Sequence, residues 1–335
     1  MAIAVVVYVS MRERAFIRVA TTSLQSQNRQ NIVKSIPIAP IIFAGDIMLG
    51  RNVETLMRQN GADYPFAEVS SSFAAAWGVV ANLEGPIVSQ HTQTLDGSLK
   101  FSFKSETAEL LRAHNIKLVT LANNHGHDQG AAGAQETRHL LDIAGVAHVG
   151  DSANIGADDI ARMQYGDMPL AVVGFNATWP SFDAAAAIKL VREAAVDGSF
   201  TIVEIHWGDE YKTKANTTQR ELAQSFIDAG ADMIVGHHPH VVEDLELYNG
   251  RPIFYSLGNF IFDQYFSKQT QEGLSLALTR AANTIIVKLQ PYRIVRSQPQ
   301  FMNDDERQHW LDEYADMTTT MPTNMVRRGE IIFAR

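Results

Sequence analysis

Asp232-Met233-Ile234-Val235-Gly236-His237-His238-Pro239-His240-Val241-Val242-Glu243 sets the reading of this chain: a short apolar run enters a turn broken by Gly236 and Pro239 that carries three of the eleven histidines. Residues 233–235 read as a buried strand. Neutral imidazole is the commonest protein ligand for transition metals, so histidines gathered at a strand end point to a metal or phosphate site. His238 and His240 hold alternate positions of an extended segment and so face the same way, with His237 facing the other.

The same pattern recurs outward. Apolar runs at 41–44, 79–82, 118–121, 171–175, 200–205 and 252–255 read as further short buried strands, and 101–104 alternates as an edge strand would. Between them, 106–114, 134–144 and 218–229 space their apolar residues by three and four, as amphipathic helices do. Strands alternating with helices predict an α/β architecture.

Bulk properties narrow the function. The chain has 335 residues, 46% of them hydrophobic and 19% charged, enough for a sizeable core. A net charge of −9 argues against nucleic acid or an anionic membrane surface as the main partner. With no cysteine, disulfides, thiolate ligands and a cysteine nucleophile are excluded.

Residues 2–9 are apolar and precede Met11-Arg12-Glu13-Arg14. The run is too short to span a bilayer, which takes about 20 residues. It reads either as a leader or short strand, or as the remnant of an export signal or anchor. Residues 20–39, rich in Ser, Gln and Asn, read as a linker, so 1–39 precedes a domain expected over 40–290. Residues 291–335 read as an extension packing on that domain. Strands are expected at 283–289 and 293–295, and Asn303-Asp304-Asp305-Glu306 reads as a helix start.

The chemistry lies just beyond the strands: Gly45-Asp46, Asn82-Leu83-Glu84-Gly85-Pro86, Ala122-Asn123-Asn124-His125, His206-Trp207-Gly208-Asp209-Glu210, and 236–240. In open α/β sheets, functional groups gather beyond the carboxyl ends of strands. Carboxylate, amide and imidazole from five such ends predict a site for two divalent cations, Mn, Zn or Fe, that would clamp an anionic ester and acidify a bound water. Asp46, Glu84, His206 and at least one of Asn123 and Asn124 are candidate ligands. Arg51 and Lys104 are candidates for holding an anionic substrate group. Asn82, His127 with its neighbour Asp128, His237 and Asn259 are candidates to support the site.

The segments Phe43-Ala44-Gly45-Asp46-Ile47-Met48-Leu49-Gly50-Arg51, Asn82-Leu83-Glu84-Gly85-Pro86, Leu121-Ala122-Asn123-Asn124-His125, His206-Trp207-Gly208, 236–240 and Tyr255-Ser256-Leu257-Gly258-Asn259-Phe260-Ile261-Phe262-Asp263 occur in this order. Over about 41–290 the chain thereby resembles the bacterial capsule-synthesis CapA / poly-γ-glutamate PgsA family, a branch of the calcineurin-like metallophosphatases. The resemblance implies a four-layer αββα sandwich with the site at the edge of two packed sheets. It implies Asp46 on a first metal, Glu84 bridging, and Asn124, His206 and His238 with His240 completing the coordination. His125 resembles the histidine that protonates the leaving group. Met48 stands where the superfamily has a metal-binding histidine, and Glu84 where it has aspartate.

The function implied is a metal-dependent phosphoesterase-like hydrolase tied to capsule or poly-γ-glutamate synthesis or export. A non-catalytic accessory protein that binds metal and polymer carboxylates is the alternative. Expected partners are an anionic polymer or phosphate ester and other synthesis subunits. The expected location is the extracytoplasmic face of the membrane, with a cytoplasmic one also open.

Overall fold

The computed structural model describes residues 38–151, 155–156, 159–318 and 320–335; all but the last two residues of the expected leader and linker lie outside them. Ala39 to Arg335 forms one compact unit. In chain order its strands begin β1 (Ile41–Ile47), β2 (Gly78–Leu83), β3 (Ile87–Val88), β4 (Phe103–Lys104), β5 (Ile116–Thr120), β6 (Ala147–Val149), β7 (Ile160–Tyr165), β8 (Met168–Asn176) and β9 (Phe200–His206). They continue with β10 (Met233–His237), β11 (Leu245–Tyr248), β12 (Arg251–Phe254), β13 (Asn259–Ile261), β14 (Glu272–Ala281), β15 (Thr284–Val295), β16 (Gln298–Phe301) and β17 (Glu330–Ala334).

Two large sheets result. One runs β16-β15-β14-β1-β2-β5-β6, with β13 beside β1 and β17 beside β15; the other runs β11-β12-β10-β9-β8-β7. Alternation along the strands dictates the layering. From β1, Ile41 and Phe43 join Val80, Leu118, Val172, Ile202 and Val235 in the core between the sheets. Ile42 and Ala44 point the other way, meeting Val53, Phe73, Leu111 and Leu141 of the helices over the first sheet. On the second sheet, Val173, Val203 and Ile234 pack outward against Leu190, Val191, Ala223 and Phe226. The order is helix, sheet, sheet, helix: a four-layer αββα sandwich.

Helix ends follow local chemistry. Helix Thr217–Asp228 starts on a capping box between Asn216 and Gln219, and Asp304–Met317 on one between Asn303 and Glu306. The latter is the start expected from the Asn-acid-acid-acid run. Helix Ala184–Ala195 was not expected; a run of alanines offers little contrast between faces, and Asp183 caps it. The strands expected at 283–289 and 293–295 are one, β15. Residue 290 lies inside it, and β17 returns to pair with it, so the sheet does not divide there. The edge strand expected over 101–104 is only β4, paired with β3.

The parallel strands β1, β2, β5, β9 and β10 all end towards the site. Two glycines let backbones meet there. A Cβ on Gly45 would lie 2.0 Å from the Gly258 carbonyl oxygen, and one on Gly236 would lie 1.9 Å from that of Tyr255. No rotamer relieves a clash with main chain. Gly45→Ala is therefore expected to destabilise the protein by roughly 3 kcal/mol or more, measured as a lower urea midpoint at unchanged m-value.

Candidate metal centre

Asp46 is fully buried near the end of β1, in register with Asn82 of β2 and Asn259 of β13. Its Oδ1 accepts from Asn82 Nδ2 at 2.8 Å and faces His237 Nδ1 at 3.1 Å. Its Oδ2 accepts from the His238 backbone N–H at 3.4 Å and lies 3.5 Å from His240 Nδ1. Burial alone would raise its pKa, but the His237 and His240 partners hold the carboxyl well below its usual range.

Glu84 follows β2 and is also fully buried. Its Oε1 has no hydrogen-bond partner, although His240 Nε2 stands 3.8 Å away and His125 Nε2 3.9 Å. Burial pushes the Glu84 carboxyl up to about 7, against the pull of His240. A buried carboxylate oxygen left without a donor amid imidazoles is what a cation would satisfy.

The amides divide the work. Asn123 Nδ2 donates to Asn82 Oδ1 and the Leu83 carbonyl, and its Oδ1 accepts from the His125 backbone N–H. Asn123 is thereby committed to shaping the loop. Asn124 instead presents Oδ1 2.9 Å from His206 Nε2, which is 3.2 Å from His238 Nδ1. His206 Nε2 thereby stands between the Asn124 amide oxygen and the His238 ring. Burial and the neighbouring His238 push the His206 imidazole well down; burial and His240 take His238 to about 4. Both are thus unprotonated near neutrality, the form that binds metal.

His237 does not face away from the site. The β-pairing sets it opposite His206, and its ring bridges two acids: Nδ1 to Asp46 and Nε2 to Glu204 Oε2 at 2.7 Å. Simple alternation does not hold here because His238 and His240 leave the extended region, with φ of 98° and 58°. Burial would push His237 down, but the Asp46 and Glu204 carboxylates override it and raise it to about 9. With both nitrogens engaged, His237 orients Asp46 and has no lone pair for a metal. His240 Nδ1 faces Asn259 Oδ1 at 3.0 Å, which leaves Nε2 turned towards Glu84. Asn259 is itself held by Gln264 and Thr270.

At the rim, His125 Nδ1 pairs with Asp128 Oδ2 at 2.9 Å and its ring packs 4.2 Å from Phe101. Asp128 therefore serves His125, not His127, which faces Asp151 at 3.3 Å. Arg51 pairs with Asp263, and its guanidinium lies 5.2 Å from the Phe101 ring and 5.4 Å from that of Phe262. Lys104 is not brought in: half exposed, it reaches Glu54 at 3.6 Å. Met48 is buried, its sulfur taking the Gly50 backbone N–H at 3.0 Å.

Ligand atoms of Asp46, Glu84 and His206 lie within 4.8 Å of one another, as do those of Glu210, His238 and His240. These are two abutting candidate metal-binding clusters, and their mixed N/O donors fit Mn, Zn or Fe. Sequence reasoning missed Glu204, Asp263 and the part Glu210 plays. A lone acid inside Thr201-Ile202-Val203-Glu204-Ile205 was the signal for the first.

Residues 40–264 match the model of a family described as bacterial capsule synthesis protein PGA_cap. The chain belongs to that family. It is 36% identical over 251 residues to "PGA biosynthesis protein CapA" of Bacillus subtilis (strain 168), covering 69% of this chain and 65% of that protein. It is 31% identical over 278 residues to "Capsule biosynthesis protein CapA" of Bacillus anthracis, covering 77% of this chain and 68% of that one. The chain thus spans just under two thirds of the Bacillus subtilis relative. A crystal structure of a hypothetical protein from Thermus thermophilus aligns at a TM-score of 0.45 and 18% identity over 78% of this chain and 95% of that one, too remote to add to the fold described above. The stretch matching the PGA_cap family holds every residue of both clusters, whereas β14 to β17 lie beyond it.

Removing His237 would leave Asp46 and Glu204 buried without the imidazolium between them. His237→Ala is expected to cost roughly 3–5 kcal/mol in chelator-treated protein, measured by urea unfolding. Because the folded-state pKa is raised from 6.5 to about 9, the imidazolium's contribution is complete below pH 6.5 and fades as pH rises through 9. The gap between wild type and variant should narrow over that range.

Proposed function

We propose that this protein is a divalent-metal-dependent phosphoesterase-like hydrolase serving capsule or poly-γ-glutamate synthesis or export, at the extracytoplasmic face of the membrane. The observation that carries the chemistry is the unpartnered Glu84 oxygen among imidazoles, with His125 poised beside it. The polymer pathway rests on the family and on the names of its relatives; the location is carried over from the family resemblance alone. Among the described residues, no helix is long and apolar enough to cross a membrane.

Asp46, Glu84, Asn124, His206, His238 and His240 would hold two cations. When bound, such ions polarise an ester oxygen and make a water acidic enough to attack near neutral pH. The chain's own groups do the rest. Asp128 fixes the ring of His125 through Nδ1, so Nε2 is the atom turned to the site and able to protonate a leaving oxygen. Arg51, buried with its Nε unpartnered and its far end tied to Asp263, offers a rigid guanidinium to an anionic substrate group. Asn82 donates to both Asp46 and Glu84 and keeps the two acids in one orientation.

A non-catalytic accessory protein, binding metal and polymer carboxylates without turnover, is favoured by one feature: Met48 turns its thioether inward, so the Asp46 side lacks an imidazole there.

Purified chain loaded with Mn or Zn is expected to hydrolyse bis(p-nitrophenyl) phosphate or p-nitrophenyl phosphate, with activity lost on chelation. His125→Ala should lower kcat by about 10²- to 10⁴-fold while bound metal, measured by elemental analysis, is retained. Stoichiometric metal without turnover on either ester would defeat the hydrolase reading in favour of the accessory one.

A further inference from the structure

We infer that Glu210 is a metal ligand, forming with His238 and His240 a donor set of two imidazoles and one carboxylate at the mouth of the centre. The inference rests on the metal-binding reading above and adds a residue to it. Ligand atoms of the three side chains lie within 4.8 Å of one another, close enough to converge on one ion. Two histidines and a glutamate make one of the sets that hold catalytic zinc, leaving a fourth position for water or substrate.

Glu210 reaches this place by construction. It lies on the loop after β9, where Gly208 has a φ of 84° and Tyr211 one of 64°. The Tyr211 backbone N–H donates to the Pro239 carbonyl at 2.8 Å, so this loop is hydrogen-bonded to the turn that carries both histidines. The neighbouring acid, Asp209, is turned elsewhere, accepting from Asn216 Nδ2 at 2.9 Å. Of the two acids in the loop, Glu210 alone joins the histidines.

The two clusters differ in exposure. Asp46, Glu84 and His206 are all buried, whereas Glu210 is exposed beside two buried histidines. Buried ligands cannot leave without stranding a charge. An exposed carboxylate can exchange with water, so Glu210 is the ligand that an incoming anionic group would displace. Glu210, His238 and His240 would thus hold an ion open to substrate, whereas Asp46, Glu84 and His206 would hold one that is enclosed.

Zinc binding to the full chain tests this by titration calorimetry and elemental analysis. Wild type is expected to bind two Zn²⁺ ions. Glu210→Gln should retain one and weaken the other by at least the order of 10-fold to 100-fold that loss of a supporting contact causes. Its Co²⁺-loaded form should show altered visible absorption. Because Glu210 is exposed, the chelated variant should melt as wild type does, so weaker binding would not reflect misfolding. Asp46→Asn should weaken the other, inner ion. Two Zn²⁺ ions bound by Glu210→Gln with wild-type affinity and an unchanged Co²⁺ spectrum would overturn the role of Glu210 and leave the metal centre standing. No Zn²⁺ bound by wild type would overturn both.

Discussion

A carboxylate with no solvent exposure, Asp46, is the constraint around which this molecule is organised. Removing such a charge from water costs several kcal/mol unless it is fully hydrogen-bonded. Its partners come from both sheets: Asn82 from β2, His237 from the end of β10, and the His238 amide and His240 from the turn beyond. Satisfying one side chain therefore fixes how the carboxyl ends of the two sheets meet. The interior between them is apolar and tolerates sliding; a buried acid with directional partners does not.

The same demand propagates outward. His237 can neutralise Asp46 only if its other nitrogen is also satisfied, which accounts for an acid, Glu204, buried inside an apolar strand. Bringing the His238 amide to Asp46 and turning His240 towards Glu84 puts two histidines at positive φ, which is unfavourable for residues with a Cβ and persists where packing over-determines it. Close backbone approaches bring the segment before β13 against β1 at Gly45 and the segment after β12 against β10 at Gly236. Fold and site are thus one structure: the strands that form the inter-sheet core end in the candidate ligands.

Much of this was legible in the chain. The β1, β2, β5, β9, β10 and β12 strands read as apolar runs because they are buried on both faces, and the acid, amide or imidazole after most of them marked the site. β14 and β13 were harder. β14 mixes Ser and Thr with apolar residues, and β13 is three residues long, too short for any periodicity to register. Residue chemistry alone did not separate Asn123 from Asn124, since either amide can cap a loop or meet a cation, and only the family resemblance singled out Asn124; which one turns inward depends on Asn82 and Leu83 across the sheet. Lys104 and Arg51 were equivalent cations on paper. One pairs with Glu54 at the surface, while the other is enclosed by Phe101, Phe262 and Asp263.

By itself, the sequence determined the α/β class, the strand ends that supply the chemistry, and the residue types able to bind a cation. These are local properties, set by hydrophobic patterning and by which side chains carry lone pairs. Tertiary structure alone decided which histidine serves Asp46 and which keep a nitrogen turned into the site, that Asp128 belongs to His125, and that Glu210 comes beside His238 and His240. The reason is physical: an imidazole's role is set by what faces each of its two nitrogens, and here those partners come from strands and loops distant in the chain.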